Sequence, residues 1–540
     1  MATMFPCPNC AGQLVFSPKA GRLKCTSCGH YYKAWDYKSP VNIDETGMDT
    51  RVYICPNCAG EIQLIDNDGM EFCPYCGTQA TMEEKFSKSG VPKYIIPFAI
   101  HKELAKEKYE KATKGIPFAP DGLDDDENID KMVGLYMPYY LYDFELHDSI
   151  EYKGEHTYAL GDYEYFDKAN VNLSYEVDSL EIPYDASQSL DDTISSQLEP
   201  FPMKELRPFT PSYLAGFYVE NSTVDKDLYQ GEAKVKAINY IKDNTKKETC
   251  NYPLNSAEEK KIDDMLLLKM NSNKPVGAYL PMYFLTTRYG DRVAYSIING
   301  KTGKTYVDMP IDKRKLFGAG LTVSIFVFIF LYLSSLIVSF SYDIKNLCAF
   351  AALVSSLIAY VGAKLAYKTY RYDNHLDDKG YFAKMENLSK SMKEAPVKDR
   401  KGKKNLKKTI QNGLATIGFM GIALIFFMPV AFYYMVGAFI ILLKFFKFAC
   451  YLASLVFVVL AVNSVKEGNK KVMNLGLISW AMALLVRIIN LPNDFVYYGA
   501  LIVVFAVIIM SIKAIVDEYN RSATHPSPQF LKTGGGLDRA

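Results

Sequence analysis

Four Cys-x-x-Cys pairs stand in the first 76 residues: Cys7 and Cys10, Cys25 and Cys28, Cys55 and Cys58, Cys73 and Cys76. Fourteen residues separate the first pair from the second, and fourteen again separate the third from the fourth. Such a turn aims two sulfurs at one point, and two turns complete a tetrahedron around a divalent cation. The expected cofactor is Zn2+, two ions, one held by Cys7, Cys10, Cys25 and Cys28 and the other by Cys55, Cys58, Cys73 and Cys76. Four thiolates leave no open coordination position, which argues for structural rather than catalytic metal. A thioredoxin-like redox pair would have to open a helix within a βαβ unit, and no such pattern follows any of the four. Thiolates kept for metal imply a reducing compartment, hence the cytosol. Of the remaining cysteines, Cys348 and Cys450 lie in apolar runs and read as small hydrophobes, while Cys250 stands alone.

The segments between the knuckles must position the sulfurs, and they read as strand, turn, strand: "QLVFSPKAGRLK" in the first copy and "EIQLIDNDGMEF" in the second, where Asn67, Asp68 and Gly69 supply a hairpin turn. This predicts two zinc ribbons, at 1–40 and 50–84. A unit of about forty residues buries too little apolar surface to fold alone, so metal binding, roughly 10–16 kcal/mol in comparable sites, would supply its folding free energy.

Charge narrows the partners. The whole chain carries a net +1, and residues 1–90 hold eight Lys and Arg against ten acids. The first ribbon is the basic one, with Lys19, Arg22, Lys24, Lys33 and Lys38 against Asp36, and it adds Tyr31, Tyr32, Trp35 and Tyr37. Nucleic-acid contact, if made, falls on ribbon 1. A protein-docking or structural module is the plainer reading.

Residues 91–311 read as an α+β domain. Helices are expected from His101 to Lys114, ending at Gly115, and from Ser256 as N-cap with Glu259 closing a capping box. The segment "VGLYMPYYLYDFEL" from Val133 is echoed by "VGAYLPMYFLTTRY" from Val276, sharing Val-Gly-x-Tyr-x-Pro-x-Tyr. Two related hairpin units facing each other in one sheet are expected, with the prolines at a sheet edge or strand start and the aromatics in the core rather than caging a ligand. "NGKTGKT", Asn299 to Thr305, is a turn: Ile298 stands where a phosphate-binding loop needs Gly. GxSxG and HExxH are absent, the six His are scattered, and the adjacency of His147, Asp148 and Ser149 does not make a triad. No enzyme is expected.

Beyond Leu316 the chain is written for lipid. Leu316 to Phe340 has 25 residues without a charge, and Leu347 to Ala363 follows, giving a transmembrane hairpin over 316–363. A basic loop at 364–411 comes next, then about four further spans in 412–514: within Asn412–Leu443, at Phe448–Val465, at Val472–Val486 and at Phe495–Ile512. Residues 515–540 read as a flexible tail. Lys364 to Lys408 carries fourteen Lys and Arg against six acids, and Lys313, Arg314 and Lys315 precede the first span, so both flanks belong in the cytoplasm. Lys444 and Lys447 fall on the outer side in this scheme. No cleavable signal peptide is expected, because "MATMFPCPNC" lacks a charged n-region and an apolar h-region. The spans hold no carboxylate that would mark an ion path, which disfavours a transporter or membrane enzyme. The expected class is thus multidomain: two small β zinc ribbons, an α+β cytoplasmic domain and an α-helical polytopic membrane domain, multi-pass in the cell membrane with the amino terminus inside.

The ribbons together with "IIPFAIHKELAKEKYEKATKG", "VGLYMPYYLYD", "YLAGFYVENS", "YLPMYFL" and "INGKTGKTYVDMPI" resemble the TFIIB-type zinc-ribbon-containing proteins of Gram-positive bacteria, over roughly residues 50 to 315. Some members carry a primosomal-helicase label, which this chain, without a nucleotide-binding loop, does not support. Some relatives are encoded beside a phage-shock-protein-A homologue and a flotillin-like SPFH protein. The resemblance implies a non-enzymatic scaffold that holds a cytoplasmic or membrane-peripheral protein at the bilayer during envelope stress. This chain departs from those relatives in its duplicated ribbon and longer six-span region. Only the eight metal-binding Cys carry over.

Overall fold

The computed structural model describes residues 5–41, 43–44, 47–64, 72–79, 83–122, 125–160, 163–337, 344–380, 432–464, 469–489 and 493–526. The first ribbon is a small sheet of β1 (Leu14–Ser17), β2 (Arg22–Cys25) and β3 (Tyr31–Tyr32). The strand, turn and strand expected of its first segment are present, with Leu14 paired to Cys25 and Ser17 to Arg22.

One large sheet organises the rest of the soluble part. It begins in the second ribbon with β4 (Ile43–Asp44), β5 (Gly47–Ile54), β6 (Glu61–Leu64) and β7 (Glu83–Ser89), and continues through β8 (Tyr94–Ile95), β9 (Val133–Leu160) and β10 (Tyr163–Asp185). Short strands β11 (Arg207–Pro208), β12 (Tyr218–Val219) and β13 (Asn271–Ser272) precede β14 (Val276–Tyr289), β15 (Arg292–Asn299) and β16 (Thr305–Val307). The last strand, β17 (His525–Pro526), comes from the far end of the chain. The second ribbon therefore exceeds its expected bounds: its strands run from Gly47 to Ser89, and β6 joins the main sheet through β12. The hairpin turn expected at Asn67–Gly69 lies outside the described residues.

The two echoed segments are the central strands, β9 and β14, and they pair antiparallel. Tyr136 lies opposite Pro281 and Pro138 opposite Tyr279, while Gly134 faces Tyr283 and Tyr140 faces Gly277. Equivalent residues of the two copies thus exchange places about a local two-fold normal to the sheet. The prolines are a correction: they sit mid-strand rather than at an edge, and each keeps its carbonyl engaged, Pro138 accepting from Ala186 N at 2.9 Å and Pro281 from Gly300 N at 2.9 Å. The motif's Gly at 134 is dictated by packing, since a Cβ there would lie 2.7 Å from the Phe217 ring and 3.2 Å from that of Tyr283.

Side chains alternate across a strand, and both faces of this central pair are covered. Tyr136, Tyr279 and Tyr283 point into a core shared with Phe5, Leu14 and Phe16 of ribbon 1 and with Ala105 and Tyr109 of α1 (Lys102–Thr113). Leu135, Met137, Leu280 and Met282 point into a second core shared with Cys55, Cys58 and Tyr75 of ribbon 2. A sheet buried on both faces explains the unbroken apolar run from Leu135 through Tyr139. After α2 (Asp126–Ile129) and α3 (Asp192–Leu198), α4 (Gln230–Glu248) and α5 (Ser256–Lys269) cover the next part of the β9–β10 hairpin, around Tyr142, Phe144 and Leu146. The α5 cap is shifted by one residue from its expected place: Asn255 Oδ1 accepts from Ala257 N at 2.9 Å and Glu258 N at 3.0 Å, and Glu258 Oε2 accepts from Asn255 N at 3.0 Å. Asn caps as well as Ser does.

The apolar half forms α6 (Lys313–Ile337), α7 (Ile344–Asp373), α8 (Phe432–Ser464), α9 (Lys470–Ile489) and α10 (Asp494–Ser522). Leu347–Asp373, Lys470–Ile489 and Phe495–Ser522 are long and apolar enough to cross a membrane. Phe326, Phe328 and Phe330 of α6 are each about two-thirds exposed (69%), as expected of side chains facing lipid. Small residues let α7 and α9 approach: a Cβ on Gly476 would sit 2.8 Å from the Ala359 backbone, and the buried Ser355 and Ser479 hydroxyls are 2.7 Å apart.

Several boundaries differ from the sequence reading. Lys444 and Lys447, expected between a third and a fourth span, lie inside the continuous α8, whose 33 residues reach about 50 Å. Most of the expected third span and of the basic loop falls outside the described residues. The loop's first ten residues, Lys364–Asp373, are the last turns of α7, and the expected tail begins as helix to Ser522 and then strand β17. α7 and α8 run parallel, Tyr451 clustering with Cys348 and Ala461 with Ala359.

Candidate metal centres

Each knuckle repeats one local design. The N–H four residues after the first Cys returns to that Cys carbonyl: Ala11 N to Cys7 O at 2.8 Å, Gly29 N to Cys25 O at 3.1 Å, Ala59 N to Cys55 O at 2.8 Å and Gly77 N to Cys73 O at 2.9 Å. All four of these residues have positive φ, from 56° to 73°. Two are Gly, which adopts this region freely, and two are Ala, which does so at a cost.

The eight predicted ligands converge as two groups, the ligand atoms of each lying within 4.8 Å of one another. The shortest sulfur separations are 3.7 Å for Cys7–Cys28, 3.5 Å for Cys10–Cys25, 3.7 Å for Cys55–Cys76 and 3.7 Å for Cys58–Cys73. A tetrahedron with Zn–S bonds of about 2.3 Å has an edge of about 3.8 Å, so both groups fit zinc. They are also too wide for disulfides, whose S–S bond is about 2.05 Å. In the second group, hydrogen bonds from Cys58 and Cys73 pull the Cys55 thiol down to about 6, while those two donors are themselves pushed up. Four crowded thiols cannot all ionise by themselves; a divalent cation at their centre is the charge that lets them. Such an ion supplies cross-linking, holding two turns that have little core of their own.

The two centres differ in their surroundings. All four sulfur residues of the second are buried, and the α+β domain grips its outer knuckle. Arg288 donates through Nε to Cys76 O at 3.0 Å and through Nη2 to Thr78 Oγ1 at 2.6 Å; Tyr295 Oη donates to Tyr75 O at 2.8 Å. Tyr75 in turn donates to Glu220, which also accepts from Ser187. In the first centre Cys10 is exposed and Cys28 half-buried. Its attachment runs through β1, where Phe16 N donates to Ala215 O at 2.9 Å, and through Ser212, which donates to Ala34 O. The holding residues Glu220, Arg288 and Tyr295 lie 145 to 220 positions from the knuckles they serve. No local pattern in the sequence marks them.

The chain is similar to "Uncharacterized protein YdjG" of Bacillus subtilis (strain 168), at 32% identity over 331 residues covering 58% of this chain and 92% of the relative. It belongs to the YdjG family. No family model matches the chain, and no solved structure matches it. In this YdjG-family chain the other sequence motifs make local contacts. Asn299 Oδ1 closes the "NGKTGKT" turn by accepting from Lys301 N at 2.9 Å and Thr302 N at 3.0 Å. His147 stands 3.6 Å from Asp178, while Asp148 pairs with Lys269 at 2.7 Å on the opposite face of β9.

Proposed function

We propose that this chain is a non-enzymatic, membrane-anchored zinc-ribbon adaptor of the TFIIB-type class. Its helices anchor it in the cell membrane, its amino terminus lies in the cytoplasm, and it recruits a cytoplasmic or membrane-peripheral partner protein to the inner face during envelope stress. The observation that carries this reading is the mounting of the ribbons. Both pack on the central sheet, and that sheet is tied to the helix ends: Arg292 meets Asp373 of α7 at 2.6 Å and donates to Thr524 O at 2.6 Å, while His525 Nε2 lies 2.8 Å from Asp308. Ribbon 1 is thereby linked to the bundle through the sheet, its Tyr31 and Trp35 about half exposed. The cytoplasmic orientation is supported by thiolate chemistry and by the lysine-dense flank of α7.

Crosslinking in native membranes followed by purification should recover one specific soluble protein with the wild type and lose it with Trp35→Ala. Equal recovery from both removes ribbon 1 from the mechanism. A second reading, nucleic-acid binding by ribbon 1, is favoured by cations over exposed rings: Lys24 Nζ is 6.0 Å from the Tyr31 centroid and Lys33 Nζ 5.7 Å from that of Trp35. It requires binding that weakens steeply with salt and disappears on neutralising Lys19, Arg22 and Lys24.

A further inference from the structure

A different donor set lies where the chain leaves α7. Past Asp373 the backbone turns through His375, at φ 51°, and brings His375 and Asp378 against Asp191, the residue preceding α3. One ligand atom from each of Asp191, His375 and Asp378 lies within 4.8 Å of the others. His375 Nδ1 is 3.8 Å from Asp378 Oδ2, and Asp378 is buried.

A second observation points the same way. Asp185, at the end of β10, is 1% exposed; its Oδ1 has no hydrogen-bond partner, and it stands within electrostatic reach of Asp192, Asp378 and Asp191. Asp192 adds a fourth carboxylate, accepting from Tyr229 Oη at 2.8 Å and from Lys379 N at 3.1 Å. The ammonium of Lys379 is turned aside to Glu232. Carboxylates are thus gathered around one imidazole, Asp378 and Asp185 buried and Asp191 and His375 half-buried, while the neighbouring lysine is directed elsewhere. Gathering several carboxylates in one place is costly, and a bound cation is a compensation that also uses the imidazole.

We propose that Asp191, His375 and Asp378 form a third metal site, for a divalent cation that favours nitrogen and oxygen ligands. It differs from the two sulfur sites in chemistry and in consequence. Asp191 belongs to the α+β domain, whereas His375 and Asp378 belong to the segment leaving a membrane helix. The ion therefore links the platform to the bundle, and its occupancy sets how tightly the two are joined.

Mn2+ is the probe that separates this site from the ribbons, because thiolate sites select softer metals. Titrating the purified full chain in detergent, carrying two zinc ions per chain with excess zinc removed, and following loss of the free Mn2+ electron paramagnetic resonance signal should show one saturable site per chain. His375→Ala and Asp191→Asn should each weaken it at least tenfold, the Asn preserving the cap on α3, while Asp148→Asn on the distant hairpin should leave it unchanged. Absence of saturable Mn2+ binding in the wild type overturns the site whatever the variants do. So does unaltered affinity in Asp191→Asn, which keeps the test valid should His375→Ala fail to fold.

Discussion

Tyr75, in the turn between Cys73 and Cys76, donates its phenolic hydrogen to Glu220, 145 residues further along the chain, and both side chains are buried. Ser187 donates to the other carboxylate oxygen. The cysteine knuckle and the domain core are therefore one hydrogen-bonded unit. Glu220→Ala leaves two buried hydroxyls without their acceptor and should cost about 3 kcal/mol. Release of zinc to a chromogenic chelator should accelerate for one of the two ions only; equal release of both would separate Glu220 from ribbon 2.

The same carboxyl predicts a pH dependence. Burial raises the Glu220 pKa above its ordinary 4.5. The folded state then holds its proton more tightly than the unfolded state, so this contribution is fully present below 4.5 and is lost as pH rises through the folded value. Glu220→Gln, which cannot ionise, should gain in thermal midpoint relative to wild type as pH is raised from 4 to 8. A difference that does not change with pH would refute the raised value.

Residues at positive φ in the knuckles predict substitutions of opposite sign. Ala59→Gly relieves a backbone strain at φ 56° and should stabilise by about 1 kcal/mol. Gly77→Ala introduces that strain and places a Cβ 2.9 Å from Thr286 O, so it should destabilise by more than Ala59→Gly gains. Chemical denaturation of the zinc-loaded protein reads both.

At the membrane junction, Asp373 takes Arg292 at 2.6 Å and Arg521 at 2.7 Å, with only 13% of its side chain exposed. Asp373→Ala leaves two arginines facing each other and should cost about 3 kcal/mol. Limited proteolysis should then cut just after α7 where the wild type resists. An unchanged digestion pattern would show that the platform is held by other contacts.

Within the bundle, Gly476→Leu should lower the detergent melting temperature sharply, because the approach to Ala359 leaves no room for a side chain. Phe328→Ala, on an exposed face of α6, should leave the midpoint nearly unchanged. Similar losses from both would mean that α9 does not pack on α7 as described.

Much of this architecture was legible in residue order because it depends on local spacing. Cys-x-x-Cys turns place sulfurs by backbone geometry within a few residues, so both four-cysteine groups are legible directly. Uninterrupted apolar runs likewise define helices suited to lipid, and the repeated Val-Gly-x-Tyr-x-Pro-x-Tyr identified two strands that prove to be partners. The capping box of α5 was misplaced by a single residue because Asn255 and Ser256 are both good caps and only geometry chooses between them. The prolines of β9 and β14 were misplaced because tolerance of a missing N–H depends on which neighbour would have received it.

What the sequence alone determined was therefore the inventory: eight thiolates in two sets, a repeated strand motif and a lipid-compatible half. The folded chain alone shows that the two ribbons lie on opposite faces of the same strand pair, that Glu220 and Arg288 hold the second of them, and that His375, just past α7, meets Asp191 of the α+β domain. The physical reason is range. Spacing within a turn is fixed by a few dihedral angles, whereas contacts across 145 or more residues are fixed by which faces remain to be buried once the sheet has formed.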